Sequence, residues 1–522
     1  MTERKYHVLL AGIVLLGILG RCAHFYLTIG SDDQRYIIAA RELGRPQSMA
    51  DPTYYHRVVF RLALAIWGVP FGLSLKSSAV LMFLLACLSI LLVALITKRI
   101  FGPQASLLAA LLQATYPINV LWDVVTLPDN LAAPMMLGSI LCFLVFLQRR
   151  SKAGLCAASF LAGLAWGIKE FYPLVFLPYM LCLLALDGKK SQKAGYAALA
   201  LACFVLGLSM DVMLHAWDSG NPLRHFRLAQ EYSEGVVVRF LGGDAAPTPG
   251  TTLSQRGLYV QALLIDYGPA GGTLLLAGGL FLAFQWRRME CRLLALVGGV
   301  LFLFLSLAPV KLRPLAFVET QVRYSVSFLP ILAVGAGGVC ARVYGMLQDA
   351  LLRRLLAVTL AILCAISLWI PGFKLDTNCR FACVAITRCL QRGREFRLSR
   401  LMLPSDFKTR LPESYAAYGI PLRFGGQGDF TQWEHDVVTD LLDSEQGFGV
   451  FVPRGFTKLE YPAGKKGPWK DIGELLASRG FRPIEVRVPG STPGAWLDWL
   501  GRPTRGVAAG VLYLKPQEAT KQ

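Results

Sequence analysis

Apolar runs long enough to cross a bilayer recur along this chain, and their recurrence limits the fold more than any motif does. A helix needs about 20 such residues to span the hydrocarbon, and "KSSAVLMFLLACLSILLVALIT" at 76–97 meets that length in full. Eleven runs qualify, near 7–29, 76–97, 104–122, 131–148, 154–168, 171–187, 194–214, 267–286, 292–309, 325–344 and 354–371. The runs 154–168 and 171–187 are short, and their join "GIKEFYP" carries Lys169, Glu170 and Pro173. That pair reads as a tight helical hairpin or as one broken, re-entrant element. Hydrophobic residues make up 54% of the 522 and charged ones only 17%, with a mean hydropathy of +0.47. This composition excludes an ordinary soluble protein, and the fold class expected is a polytopic α-helical membrane protein.

Short basic clusters set the expected orientation. "ERK" before the first run, "KR" at 98–99, "QRRSK" at 148–152, "DGKKSQK" at 187–193, "QWRRMECR" at 285–292 and "RVYGMLQDALLRR" at 342–354 alternate consistently if all six face the cytoplasm. The N-terminus is then cytoplasmic. The opposite side receives a first outer loop at 30–75, the segment "WDVVTLPDN", a long loop at 214–266, "PVKLRPLAFVETQVRY" and everything after residue 372. The first run is long, no small-residue cleavage site follows it, and it reads as an uncleaved signal anchor. The net charge of +19 is first a topology signal and second a pointer to anionic membrane lipids or lipid phosphates. No nucleic-acid partner is expected. The chain ends "QEATKQ", without a retention tetrapeptide, which favours a multi-pass protein of a prokaryotic plasma (inner) membrane.

Composition changes after about residue 372, dividing the chain into a membrane domain, 1–371, and a soluble extracytoplasmic domain, 372–522. "DVVTDLLDSEQGFGVFVPRGF" and "DIGELLASRGFRPIEVRV" each read as an amphipathic helix, a Gly-centred turn and a strand, and "AAGVLYLKP" as a closing strand. The tail is thus expected to be a small α/β domain. Of the 12 cysteines, most lie in apolar runs; Cys379, Cys383 and Cys389 lie at the outer boundary, where one disulfide is possible and one thiol is left over. Their spacing is not a standard zinc pattern.

Four places carry charge beside hydrocarbon, and each also has a plainer explanation. In "IGSDDQRYIIAARELG" (29–44) Asp32 and Asp33 could cap an interfacial helix, but a cap needs only one of them. In "YYHRVVFRLALAIWGVPFG" (54–72) Arg57 and Arg61 are four apart and share a helical face. A pair of guanidinium forks near the headgroups suits a lipid phosphate, although snorkelling arginines look the same. "YPINVLWDVVTLPDNLAAPM" (116–135) places Asp123 and Asp129 between two runs, where a turn would also account for Asp129. "VETQVRYSVSFLPIL" (318–332) brings Glu319, Arg323 and Tyr324 to the start of a run, as a boundary arginine and aromatic belt would. Together these loops put carboxylates and arginines on one side of the bundle.

"DDQRYIIAARELG" resembles the "D-E-x-R-Y-x-x-x-A-R-x-x" signature of the dolichyl-phosphate-mannose protein mannosyltransferase family and its bacterial aminoarabinose-transferase relatives, which have the GT-C fold. The likeness continues in "HRVVFRLALAIWGVPFG", similar to their "K-P-P-L-x-Y-W" helix ending in Phe-Gly, and in "TLPDNLAAPMMLG", like their "D-x-x-L" span start. "GLAWGIKEFYPLVFLP" resembles their "G-L-x-x-G-x-x-x-x-x-K-x-P" hairpin, and "RYSVSFLPILAVGAG" their "R-Y-L-L-P-L-x-P". Order and topology carry the resemblance, over about residues 5–345; the tail is alike only in position and kind. Two departures stand out: Asp33 replaces the usual Glu, and Arg57, Val58 and Val59 stand where the family has Lys or Pro-Pro.

The resemblance implies a transferase that moves a sugar from a polyprenyl-phosphate donor to a hydroxyl acceptor (lipid, glycan or protein) at the outer membrane face, with inversion in one displacement, which calls for a carboxylate to accept the acceptor's proton. It assigns Asp32 as the base, with Asp33 orienting it or steering the acceptor. Arg57, then Arg323, then Arg61 and Lys169, would meet the donor phosphate, and Asp129, Tyr324 and Glu170 would bind substrate or brace those cations. Fixed cations can absorb the leaving-group charge, so no metal or other cofactor is expected, a divalent ion being the alternative. From its position, the tail is expected to cover the outer mouth of the site and help choose the acceptor. A lipid-linked-saccharide flippase is the second reading; it calls for repeated halves and mid-span polar residues, which the sequence does not display. A scaffold with an outer recognition domain is the third, and it has no use for Asp32, Arg57 and Arg323 together.

Overall fold

The computed structural model describes residues 1–23, 32–45, 54–228, 268–307, 309–312, 315–317 and 327–349, positions scattered over 351–364, the strands named below and residues 476–488 apart from 479. The chain divides into two units, Met1–Phe25 with Arg35–Pro371, and Tyr26–Gln34 with Gly372–Gln522.

The first unit is helical. Its elements are α1 (Glu3–Ala23), α2 (Asp32–Arg41, starting at the unit boundary), α3 (Val58–Phe71), α4 (Leu75–Phe101), α5 (Pro103–Thr115), α6 (Pro117–Trp122) and α7 (Asp129–Arg149). They continue as α8 (Lys152–Leu164), α9 (Phe176–Leu184), α10 (Lys190–Ser219), α11 (Gly268–Phe284), α12 (Met289–Leu307), a short hairpin of β1 (Pro309–Leu312) and β2 (Leu315–Phe317), and α13 (Leu329–Met346). Among the described residues, six helical stretches are long and apolar enough to cross a membrane: Glu3–Cys22, Ser77–Phe101, Asp129–Arg149, Lys190–Ser219, Met289–Ser306 and Leu329–Met346. Three shorter apolar ones cover Val58–Phe71, Tyr172–Leu184 and Gly271–Phe284.

The other expected spans differ for local reasons. The run 104–122 is divided at Tyr116, which is extended (φ −68°, ψ 122°) before Pro117 opens α6. In the runs 154–168 and 171–187, which read as a tight hairpin or a broken element, the helix is interrupted: α8 gives way to a 3-10 turn at Ala165–Gly167, and a second turn at Tyr172–Val175 leads into α9. Most of 354–371 lies outside the described residues. Between α3 and α4 the chain reverses at Gly72, whose φ of +70° is open to glycine, and Ser74 with Ser77 forms a capping box.

Packing is tightest where small residues allow it. Tyr6, Leu10, Ile90, Ala94, Ala110 and Ala114 join α1, α4 and α5 in one core cluster, and Tyr6 and Ser106 hydroxyls share a 2.9 Å hydrogen bond within it. α8 crosses α10 at Gly163 and Gly207, where an added Cβ would come 2.2 Å from Phe204 O and 2.3 Å from Phe160 O. Gly207→Ala should therefore lower stability by about 1–3 kcal/mol through overpacking. Gly195→Ala, on the same helix with nothing within 4 Å of the new methyl, should be neutral or stabilising; thermal unfolding of the two variants in one detergent compares them.

The 30 residues of α10 extend about 45 Å, longer than a hydrocarbon core of about 30 Å. Its buried residues, Ala200, Gly207, Asp211, His215 and Asp218, form one stripe, while Leu201, Val205, Leu206 and Met213 are exposed, as a lipid-facing side requires. The stripe corrects one expectation: a span of this chain does carry buried polar side chains.

In the second unit β3 (Arg400–Pro404), β4 (Leu422–Gly425), β6 (Phe448–Pro453), β8 (Arg482–Val488) and β9 (Val507–Leu514) form a mixed five-stranded sheet in the order β4-β3-β6-β9-β8. β3 runs parallel to both β4 and β6, whereas β9 is antiparallel to β6 and β8. A separate parallel pair joins β5 (Gln432–Glu434) and β7 (Lys458–Glu460). β6, β8 and β9 fall where sequence placed strands, and Gly480, at φ +80°, makes the expected turn before β8. Of the two expected helices only the turn Leu476–Ser478 is among the described residues, and Cys379, Cys383 and Cys389 are outside them.

Candidate active site

The charged residues of the first unit meet where α3 starts, where α7 starts and where the α8–α9 connection breaks. Asp129 occupies the first turn of α7, where the helix dipole favours a carboxylate. Lys169, in the break, reaches it with Nζ 2.6 Å from Oδ1 and 2.7 Å from Oδ2, and both residues are buried. The next residue, Glu170, turns instead to the start of α3. Its Oε1 lies 2.7 Å from His56 Nε2 and 3.7 Å from Arg57 Nε. Arg57 also donates from Nη1 to the Tyr36 hydroxyl on α2 and lies over that ring, 5.7 Å from its centroid.

Two consecutive residues of one break thus hold two separate helix starts. Burial would raise the Glu170 carboxyl, but the Arg57 guanidinium and the His56 hydrogen bond outweigh it and hold the group well below the ordinary carboxylate value. Burial lowers His56 to about 4, against the pull of Glu170 and with the help of Arg57. A neutral imidazole then donates Nε2–H to an ionised Glu170. Arg57 is 12% exposed at its side chain and Glu170 31%, whereas Lys169 is 4% and Asp129 6% exposed. The first pair faces accessible space; the second is a buried brace.

Arg61 is placed differently from what its helical spacing suggested. It forms a fully buried two-pronged pair with Asp218 near the end of α10, Nη1 to Oδ2 at 2.7 Å and Nη2 to Oδ1 at 3.2 Å. Its Nε donates to Ala39 O and its Nη1 to Tyr55 O, while Asp218 also accepts from Gly44 N. Arg61 and Asp218 therefore lock α2, α3 and α10 together, and neither faces an accessible phosphate site. Lys169 likewise is engaged with Asp129. Asp32 and Asp33 are the first two helical residues of α2; their side chains, and the whole of Arg323 and Tyr324, lie outside the described residues. Ser327, just beyond that last segment, shares a 2.8 Å hydrogen bond with the Tyr172 hydroxyl.

Sequence reading missed His56, Asp218 and the pair of Arg21 with Asp123. Arg21 is buried in α1, with Nε 3.1 Å from Asp123 Oδ2 and Nη1 on Gly17 O and Ala114 O. The signal existed, since a lone arginine inside an apolar run calls for a buried acid.

Comparison with known proteins agrees with this architecture. The family model described as dolichyl-phosphate-mannose-protein mannosyltransferase matches residues 58–212, from α3 into α10. Among curated proteins no sequence matches. In fold, ArnT from Cupriavidus metallidurans in the apo state superposes with a TM-score of 0.55 at 13% identity, covering 99% of this chain and 98% of that one. The same protein bound to undecaprenyl phosphate gives 0.54 at 14% identity, covering 99% of each chain. The oligosaccharyltransferase of Archaeoglobus fulgidus gives 0.53 at 14% identity, over 80% of this chain and 64% of that one, so the chain spans under two thirds of that enzyme. The protein has the polytopic helical fold of the GT-C glycosyltransferases. Within that class it resembles the mannosyltransferase and aminoarabinose-transferase branch.

Proposed function

We propose that the protein is a glycosyltransferase that moves a sugar from a polyprenyl-phosphate donor to a hydroxyl acceptor at the extracytoplasmic face of a plasma membrane. The observation that carries this reading is Arg57, partly exposed and aimed by Tyr36 and Glu170 at the start of α3, immediately before the region matched by the family model. In the reaction Asp32 takes the proton from the acceptor hydroxyl as its oxygen attacks C1 of the sugar, with inversion. The bond from C1 to the phosphate oxygen breaks, its electron pair stays on that oxygen, and the lipid phosphate gains one negative charge. Arg57, and Arg323 with it, stabilise that charge; Asp33 orients the base. Glu170 fixes the direction of Arg57, and the Lys169–Asp129 pair holds the break that carries Glu170. Lys169 and Arg61 are thereby given structural tasks in place of phosphate contacts, and Tyr324 remains a substrate-binding candidate.

A panel of radiolabelled polyprenyl-phosphate sugars, offered to the purified protein with mixed hydroxyl acceptors, tests this assignment. Wild type should release or transfer label from at least one donor, and Asp32→Asn should lower that rate by about 10²–10⁴-fold, the usual worth of a general base. Equal rates in both proteins would make Asp32 a helix cap and remove it from the mechanism.

A further inference from the structure

Behind the Arg57–Glu170 pair lies a second polar cluster that the transfer reaction does not use. Asp211 and His215, four apart on the buried stripe of α10, face His225, which follows the end of that helix. All three are buried, and one donor atom from each lies within 4.8 Å of those of the other two. His225 Nδ1 is 3.0 Å from Asp211 Oδ2, and His215 Nε2 is 3.8 Å from Asp211 Oδ1.

The polar atoms here are not satisfied by one another. Among the described residues, both oxygens of Asp211, Nδ1 of His215 and both ring nitrogens of His225 have no hydrogen-bond partner of good geometry. A buried carboxylate facing two imidazoles without hydrogen bonds is costly unless a cation sits among them. His215 Nε2 is 2.9 Å from the His56 carbonyl, the kind of backbone acceptor that orients a metal-bound imidazole. Trp166 stacks on His225 with ring centroids 5.0 Å apart, and Gly167 approaches so closely that a Cβ would lie 2.5 Å from Asp211 Oδ1. The wall is built tightly around the three donors.

We infer that Asp211, His215 and His225 form a binding site for a divalent transition-metal ion of the zinc class. Two imidazoles and one carboxylate suit Zn²⁺, and magnesium or calcium would ask for oxygen ligands throughout. Three protein ligands leave a fourth position for water. The ion would tie α10 to the His225 segment behind His56, and so support the start of α3 without touching the donor phosphate. This site is independent of the proposed transfer reaction, which its test does not measure.

The test uses full-length protein in detergent, stripped with a chelator, loaded with Zn²⁺ and desalted. Wild type should retain about one zinc per chain by mass spectrometry, and Asp211→Asn and His225→Gln should each weaken binding at least about tenfold. His7→Gln, at an exposed position near the start of α1, should bind as wild type does. Added Zn²⁺, and not Mg²⁺, should raise the unfolding temperature of stripped wild type, increasing with the logarithm of its concentration above Kd, a readout that stands even if a variant fails to fold. Stripped wild type that takes up no zinc and gains no stability from it would overturn the site. Zinc retention undiminished in both variants would overturn it equally.

Discussion

Arg57→Ala should lower the turnover rate at saturating polyprenyl-phosphate donor by about 10²–10³-fold, the cost of removing one preorganised group from a developing oxyanion. The physical basis is the change of charge on the leaving phosphate, which is larger in the transition state than in the bound donor, so the loss falls on turnover more than on donor affinity. Arg57→Lys should recover part of the rate, because the charge returns while the fork that reaches Tyr36 and Glu170 does not. The comparison is made by steady-state kinetics of the two variants with wild type, alongside thermal unfolding to confirm that both are folded. A rate for Arg57→Ala within about threefold of wild type, under 1 kcal/mol, would remove Arg57 from the transition state.

The largest effect on stability should come from Asp218→Ala. Arg61 and Asp218 are each 0% exposed at the side chain, and truncating the acid leaves a guanidinium in a dry interior. Breaking such a pair costs about 3–5 kcal/mol, mostly the penalty of the stranded charge. Replacing both partners with apolar residues of similar volume, Arg61→Met with Asp218→Leu, should return much of that loss, since the pair itself contributes little against its own desolvation. Chemical unfolding in detergent distinguishes these outcomes. If Asp218→Ala stays as stable as wild type while donor binding falls, Arg61 meets the lipid phosphate after all, as its spacing from Arg57 first suggested.

Much of the helical unit was legible because length and hydropathy act locally. α10 runs from Lys190 to Ser219 over the expected 194–214, α7 covers the run at 131–148, and the helix is interrupted at the "GIKEFYP" join that its lysine, glutamate and proline marked out. The run 104–122 was misjudged because hydropathy does not register the backbone break at Tyr116–Pro117. Partner choice was the part that sequence hid. Arg61 and Asp218 are 157 residues apart, and Arg21 and Asp123 are 102 apart, so no window contains both members. Helical spacing put Arg57 and Arg61 on one face, yet a single turn of rise takes one to partly exposed space at the helix start and the other into the bundle. Asp211 and His215, at i, i+4 spacing inside an apolar run, were passed over as well, although a charge there calls for a partner.

The most direct measurement of the central claim is the fate of the lipid. Purified protein in nanodiscs is given a polyprenyl-phosphate sugar and its hydroxyl acceptor, and free polyprenyl phosphate and glycosylated acceptor are both quantified by mass spectrometry. The two products should appear together, one for one, with wild type and fall together in Arg57→Ala. Intact donor that crosses from one leaflet to the other, with no phosphate freed, would contradict it and make the protein a transporter of its substrate.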